Sequence, residues 1–300
     1  MKNLSLRKTD PPPAGKGKAQ RSIFQKLAAV PHAFWTVLFI AAPMLFVLYF
    51  AFTDTEGNFS FSNIADLGQY TNVFILSIAF ALIATAVCLI IGYPLAYFMS
   101  KQSPRAQKML MVLVMLPMWC NLLIRTYALM ALLDNGGLLN SLLESLGLDK
   151  LQIVGTNFGV ILGMIYDFLP YMVLPIFTAM TKLDPKYIEA SQDLGCTTWQ
   201  TMTRVIMPLT ASGVISGVTM VFVPSISTFY ISQKLGAGKI DLVGDTIERL
   251  FQNPSTYNVG AAVSLVMMVL IIISVGIMNR FSDDKQPGDS KSGKGGGLVP

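Results

Sequence analysis

Long apolar runs are the feature that most constrains what this chain can fold into. An α-helix needs about 20 apolar residues to cross the hydrocarbon core of a bilayer. Only 13% of the 300 residues are charged, whereas a soluble domain usually has about 25%. The sequence therefore predicts an all-α polytopic membrane protein with transmembrane helices at about 33–52, 73–99, 108–133, 158–180, 207–232 and 258–279.

The charged residues lie between these runs, and their sign alternates along the chain. Basic residues concentrate in the N-terminal tail, in KQSPRAQK (101–108) and in 181–206, whereas the other loops are acidic or balanced. The positive-inside rule then places both ends of the chain in the cytoplasm. We interpret the net charge of +5 as a topology signal, and we expect membrane lipid but no nucleic acid as a partner.

The chain divides into three parts by composition. Residues 1–31 form a basic cytoplasmic tail, 32–281 form the six-helix membrane domain, and the Gly/Ser/Lys-rich stretch 282–300 is predicted to be a flexible tail. The third apolar run is the least regular, because it contains a proline, an asparagine and an arginine. Two loops, 136–147 and 241–252, have apolar residues at helical spacing, so short helices along the outer face and ordinary loop packing are both open there.

The residue inventory excludes most kinds of catalytic site. The chain has a single histidine, His32, and its three cysteines (Cys88, Cys120, Cys196) are far apart in sequence. This pattern provides no set of metal ligands, no disulfide framework and no nucleophile with a histidine base. The phosphate-binding pattern G-x-x-x-x-G-K-[ST] is also absent from the sequence. We therefore expect a chain that is not an enzyme and that binds no metal and no cofactor.

The segment 184–208 is predicted to form a helical elbow on the cytoplasmic side. Asp184 and Pro185 can begin a first helix, and a threonine at 197 or 198 can cap a second. Gly195 between them can adopt the backbone conformation that ends a helix, and Pro208 marks the entry to the fifth apolar run. Such an elbow suits docking onto a cytoplasmic partner, because small residues on its first helix allow a close approach. The alternative is an amphipathic loop at the membrane surface.

The elbow resembles the EAA loop of ATP-binding-cassette importer permeases. That pattern is E-A-A, three residues, G, nine residues and I-x-L-P, and this chain matches it with conservative changes over Glu189-Ala190-Ser191, Gly195 and Val205-Ile206-Met207-Pro208. The resemblance implies that Glu189, Ala190, Ser191, Gly195 and Pro208 couple this chain to a separate ATPase dimer, which would bind ATP and Mg. It also implies a second homologous permease, an extracytoplasmic binding protein and a place in the bacterial cytoplasmic membrane.

Roughly residues 30 to 280 are similar to the spermidine/putrescine permeases of bacteria. The similarity is carried by IGYPLAYFMSK (91–101), NLLIRTYA (121–128) and DFLPYMVLPIF (167–177). It implies polyamine cargo. Related permeases for thiamine, iron or phosphonate share the EAA loop and remain alternatives, and a stand-alone secondary transporter is a more distant one.

Two ionisable residues lie inside predicted membrane helices, where such groups are costly and mark functional candidates. Asp167 lies near the middle of the fourth run and Arg125 in the outer half of the third. They either form an internal ion pair or leave Asp167 facing a wet path, where it would meet an ammonium group. Aromatic rings can hold alkylammonium groups, and the candidate rings are Trp119, Tyr127, Tyr166, Tyr171 and Tyr230. Ordinary interfacial packing of these rings is the alternative.

Small residues at spacing four occur in the fourth and fifth runs. The pairs are Gly159 with Gly163 and Gly213 with Gly217. Glycines at this spacing let helix backbones approach closely inside a membrane. They predict close packing of the fourth and fifth helices against their neighbours.

Overall fold

The computed structural model describes residues 23–54 and 56–283, and nearly all of them are helical. Within these residues, the β pairing is a single bridge between Thr53 and Phe59. The predicted tails 1–31 and 282–300 lie mostly outside the described residues, although helix α1 already begins at Ile23. The α-helices are α1 (Ile23–Thr36), α2 (Ala42–Ala51), α3 (Ser62–Ala65), α4 (Thr71–Ser100), α5 (Pro104–Trp119), α6 (Leu122–Leu133), α7 (Leu138–Ser145), α8 (Asn157–Thr181), α9 (Pro185–Asp193), α10 (Thr198–Thr201), α11 (Met207–Leu209), α12 (Ala211–Ser227), α13 (Tyr230–Leu235), α14 (Val243–Gln252) and α15 (Tyr257–Asp283).

The chain separates into two units, and residues up to Phe46 form the first. Its described part consists of α1, a π-helical turn at Val37–Ala41 and the beginning of α2. The rings of Trp35 and Phe39 pack with centroids 4.1 Å apart. From Val30 to Phe46, the large apolar side chains of this unit are exposed, as expected of a helix that faces lipid.

Helices α4, α8 and α12 pack against one another and form the core of the second unit. Met164, Met172 and Ile176 of α8 are completely buried. Met172 fills the space that two glycines leave open: a Cβ on Gly92 of α4 would lie 3.0 Å from its Cγ, and one on Gly217 of α12 would lie 2.8 Å from its Sδ. The close packing predicted for Gly213 and Gly217 is confirmed, because a Cβ at Gly213 would lie 2.8 Å from the Pro175 carbonyl oxygen of α8.

The structure contains helices that can account for the predicted spans, with two differences. Five helical segments of the described chain are long and apolar enough to cross a membrane, and a bent pair of helices makes a sixth. The predicted third span, 108–133, is split into α5 and α6. Cys120 ends α5 with an extended backbone, and the Asn121 side chain accepts the Leu123 N–H at 2.8 Å and so begins α6. The irregular residues of this run therefore break the helix.

The fifth predicted span, 207–232, also differs from the structure. The helix Thr198–Leu209 meets Ala211–Ser227 at an angle of 68°, so the span bends where it was predicted to begin. Thr228 is extended and ends α12, and the remaining residues of the predicted span belong to the separate helix α13. Pro224 lies close to this end, where a proline removes a backbone donor.

In the loops 136–147 and 241–252, where short helices and ordinary loop packing were both open, the structure has the helices α7 and α14. Helix α14 packs on α15 and is tied to α4, because the Val243 N–H donates to Ser77 Oγ at 2.8 Å. Asp245 begins α14 by accepting the Leu242 N–H at 2.9 Å. Burial is the main cause that raises the pKa of Asp245 to about 6.

Candidate functional site

The first arm of the elbow is helix α9, and local residues define both of its ends. Asp184 Oδ1 accepts the Lys186 N–H at 3.0 Å, and Pro185 takes the first helical position. At the other end, the Gly195 N–H donates to Gln192 O at 2.8 Å and the Cys196 N–H to Ser191 O at 3.0 Å. These two bonds form a Schellman motif, and Gly195 has the positive φ of 78° that this motif requires.

The second arm begins immediately after this turn. Thr197 and Gln200 form a capping box, in which the Thr197 N–H donates to Gln200 Oε1 at 2.9 Å and the Gln200 N–H to Thr197 Oγ1 at 3.3 Å. The arm continues through α10, a π-helical turn at Met202–Ile206 and α11. The helix–glycine–helix elbow predicted from the sequence is thus present, at the opposite end of α8 from α7.

The small residues of the EAA pattern face different ways. Glu189 and Ala190 are exposed, whereas Ser191 is buried. Ser191 Oγ lies 3.0 Å from Thr201 Oγ1 and donates to Ile188 O at 2.8 Å. The prediction that Ser191 offers a small outward contact therefore differs from the structure: its side chain joins the two arms, because a hydroxyl fits the narrow space between them.

Three large apolar side chains project from the elbow. Tyr187 is 56% exposed, Leu194 84% and Trp199 75%. They come from the first arm, the turn and the second arm, respectively. In sequence, Tyr187 precedes the exposed Glu189 and Ala190, and the other two follow them. Exposed apolar groups bordered by polar residues are typical of a protein-binding surface.

The second arm is connected to the membrane helices at Thr210, where the chain bends. Thr210 Oγ1 donates to Ile206 O at 2.8 Å and lies 3.1 Å from the Tyr93 hydroxyl of α4. Because the one Thr210 hydroxyl proton goes to Ile206, Tyr93 is the donor in the second bond. Pro208 lies in α11, just before this bend. The elbow is therefore connected to both α12 and α4.

Asp167 and Arg125 form an ion pair, which is one of the two alternatives left open by the sequence. Asp167 is fully buried and Arg125 is 8% exposed. Thr126 Oγ1 donates to the second Asp167 oxygen at 3.2 Å, and Arg125 Nη1 donates to Pro117 O at 3.0 Å. Arg125 thus fixes α6 to both α8 and the end of α5, across the break in the third span.

The aromatic candidates fall into separate groups. Tyr166 lies under the Arg125 guanidinium at 6.0 Å, and Tyr171 packs against Phe168. Tyr127 and Tyr230 form an edge-to-face pair with centroids 5.9 Å apart. The Lys234 Nζ lies 5.0 Å and 5.6 Å from these two ring centroids. Trp119 is 72% exposed and belongs to none of the ring pairs found among the described residues.

Several residues of these sites were not predicted. Lys234 lies one helical turn after Tyr230, a spacing that places two side chains on the same face of a helix. Thr126 directly follows Arg125 in sequence, but its bond to Asp167 joins residues 41 positions apart. Helical spacing could have indicated Lys234. The role of Thr126 could not be predicted without knowing that α6 packs on α8.

Named permeases from two bacteria are similar to this chain in sequence. The "Spermidine/putrescine transport system permease protein PotB" of Haemophilus influenzae is 36% identical over 267 residues, which is 86% of this chain and 93% of that protein. The protein of the same name from Escherichia coli K12 is 35% identical over 79% of this chain and 90% of its own length. The "Inner membrane ABC transporter permease protein YdcU" of Escherichia coli K12 is 27% identical over 70% of this chain and 71% of its own.

A solved structure has the same fold at lower sequence identity. It is a crystal structure of a bacterial alginate ABC transporter in complex with an alginate pentasaccharide-bound periplasmic protein. The match has a TM-score of 0.71 at 20% identity and covers 88% of this chain and 95% of that one. The profile of the family "Binding-protein-dependent transport system inner membrane component" matches residues 90–286. This chain belongs to that family and is a permease component of a transport system in the inner membrane.

Proposed function

We propose that this chain is the membrane-spanning permease subunit of an ATP-driven importer of spermidine and putrescine. The cargo follows from the near full-length identity of 35–36% to permeases named for spermidine and putrescine. The chain itself carries no P-loop pattern, so a separate ATPase dimer binds ATP and Mg and this subunit performs no catalysis. A second homologous permease forms the other half of the path, and an extracytoplasmic binding protein delivers the polyamine.

The observation that carries the coupling role is the outward surface of the elbow. Glu189 and Ala190 are exposed between Tyr187 and Leu194, on an elbow in which each of the two arms begins with a capping hydrogen bond. A groove on the ATPase that holds this surface moves when the two ATPase copies close. Because the second arm continues into the bend at Thr210, the movement is passed to α12 and α4.

The buried ion pair serves structure in this proposal. Arg125 neutralises the charge of Asp167, and Thr126 donates a hydrogen bond to it. The carboxylate therefore does not require the ammonium group of a cargo molecule as a counter-ion. The path is lined instead by rings exposed on this chain, among which Tyr127, Tyr171 and Trp119 are accessible. These contacts are weak, about 0.5–2 kcal/mol for each ring and cation, which suits a path that must release its cargo.

The test uses the complete transporter, with both permeases and the ATPase, in nanodiscs. ATP hydrolysis is measured with binding protein loaded with spermidine or putrescine, and then with thiamine, ferric iron or a phosphonate. We expect stimulation by the two polyamines alone. Glu189→Lys should abolish this stimulation with the complex still assembled, whereas Lys150→Glu, a charge reversal in a loop at the other end of α8, should retain it.

Two results would overturn the proposal. Full stimulation of the Glu189→Lys complex would remove the elbow from the coupling mechanism. Polyamine uptake by liposomes that contain this chain alone, without ATP, would instead identify a secondary transporter.

A further inference from the structure

A cavity of about 600 Å³ opens at the end of the second unit opposite the elbow. It lies between the C-terminal end of α2, the following loop, the end of α14 and the beginning of α15. Its walls include four aromatic residues, and its other lining residues are mostly polar. The lining residues are Tyr49, Phe50, Thr53, Asp54, Gly57, Phe251, Gln252, Pro254, Tyr257 and Asn258.

The aromatic walls form one connected set. The Tyr257 ring lies 5.1 Å from that of Phe50 and 4.8 Å from that of Phe251, in both cases edge to face. Tyr49 packs on Phe50 at 5.5 Å in the same manner. All four rings line the open space, and the electron-rich faces of aromatic rings attract organic cations.

Among the described residues that line the cavity, Asp54 is the one that carries a charge. Its Oδ1 accepts the N–H groups of Glu56 at 2.9 Å and of Asn58 at 2.8 Å. The carboxylate is thereby fixed in place and keeps its second oxygen for another donor. No lysine or arginine occurs in the sequence from residue 27 to residue 100, and none lines the cavity among the described residues, so the loop does not supply a cation of its own.

The floor of the cavity is rigid, because distant parts of the chain meet at one carbonyl. Thr53 O accepts the side-chain amide of Asn63 at 2.8 Å and that of Asn258, 205 residues away, at 2.7 Å. Helices α2 and α14 both end beside the cavity, and the C-terminal end of a helix carries a partial negative charge. Rings, a fixed carboxylate and two helix C-termini all favour a positively charged ligand.

We propose that this cavity is a binding site for a primary alkylammonium group, with Asp54 as counter-ion and the ring of Tyr257 against the alkyl chain. By the distribution of charged loops the cavity faces the outer side of the membrane. Two molecules can supply this chemistry there: a free amine in solution and the ethanolamine headgroup of an aminophospholipid. The site is distinct from the path proposed for cargo, since Tyr127, Tyr171 and Trp119 are not among its lining residues.

The experiment has two arms, both with the complete transporter and without binding protein or ATP. In the first, putrescine is titrated against nanodiscs of phosphatidylcholine and followed by saturation-transfer NMR, with 1,4-butanediol as the uncharged isostere. In the second, the phosphatidylethanolamine retained by the complex is counted by native mass spectrometry. The first arm reports a free amine and the second a lipid headgroup.

Asp54→Asn is the informative variant, because asparagine keeps the oxygen that accepts the two loop N–H groups and removes only the charge. We expect it to weaken amine binding about three- to tenfold, or to reduce lipid retention by a similar factor. Glu56→Gln is the matched control, since Glu56 lies two residues away and does not line the cavity. It should leave both measurements unchanged, and Tyr257→Leu should weaken binding without removing it.

The proposal is overturned if Asp54→Asn changes neither arm, or if butanediol binds as well as putrescine. It is also overturned if Glu56→Gln has the same effect as Asp54→Asn, because then the loop charge and not the cavity attracts the amine. These readouts require no transport. The cavity is therefore tested separately from the polyamine cargo, and a transporter that failed to move polyamines could still bind an amine here.

Discussion

Removal of the Asp167 carboxylate should destabilise the membrane domain strongly. In Asp167→Asn the Arg125 guanidinium remains buried between α5, α6 and α8 without a counter-charge. Deleting one partner of a buried ion pair costs about 3–5 kcal/mol. For a chain of this size each kcal/mol lowers the melting temperature by about 2–4 °C. The expected decrease is therefore about 6–20 °C.

Thermal unfolding of the purified complex measures this decrease, and the chain provides its own control. Arg249 and Asp241 form an ion pair at 2.7 Å, but their side chains are 60% and 45% exposed. An exposed pair contributes about 0–1 kcal/mol, so Asp241→Asn should lower the melting temperature by about 4 °C at most. The double variant Arg125→Met/Asp167→Leu should be more stable than Asp167→Asn, because it leaves no unpaired buried charge.

The reasoning is refuted if Asp167→Asn and Asp241→Asn lower the melting temperature equally. It is refuted in another way if the double variant is as unstable as the sum of its single changes, since the two groups would then act independently.

Three further predictions concern the turn, the loop helix and the core. Gly195→Asn should retain more polyamine-stimulated ATPase activity than Gly195→Val. A Cβ at position 195 would contact no other atom, so the two variants differ only in backbone strain. The positive φ of 78° strains a β-branched residue by about 1–2 kcal/mol. Burial raises the pKa of Asp245 from 3.8 to about 6, so the folded state prefers the neutral acid and this group adds stability as the pH falls from 7 to 4. At pH 7.5, Asp245→Asn should therefore increase the free energy of unfolding by about 2 kcal/mol and raise the melting temperature. The melting temperature of the variant should also depend less on pH. Gly217→Val should destabilise the complex by about 1–3 kcal/mol, because its Cβ would lie 2.8 Å from Met172 Sδ. Adding Met172→Ala to this variant should raise its melting temperature part of the way back to that of the wild type.

Each of these three has an outcome that would contradict it. Equal activity of the asparagine and valine variants at position 195 would mean that the turn is free to change its backbone conformation. A melting temperature of Asp245→Asn that follows pH as the wild type does would exclude Asp245 as the titrating group. A loss of stability at Gly217→Val that Met172→Ala leaves unchanged would place the clash elsewhere than on Met172.

The elbow could be predicted in detail from the sequence because its signals are local. Asp184, Pro185, Gly195 and Thr197 each act on backbone groups within three residues, and each has the predicted role in the structure. The helical content of the membrane domain follows equally well from the length of the apolar runs.

Contacts between distant residues could not be chosen from the sequence. The carboxylate of Asp167 has two physically sound environments, and the packing of α6 on α8 selects the ion pair with Arg125. The burial of Ser191 depends on Thr201 of the second arm, ten residues away. The end of the fifth span at Thr228 was missed because no charged residue interrupts the run before Lys234 of α13.

The bend at Thr210 joins a shorter helical segment to a longer one. The segment before it, Thr198–Leu209, has 12 residues and is about 18 Å long. The segment after it, Ala211–Ser227, has 17 residues and is about 26 Å long. The Tyr93 hydroxyl holds the bend against α4. In the coupling proposed above, rotation about this bend would make a displacement at the cytoplasmic end of the first segment about 1.4 times larger at the far end of the second.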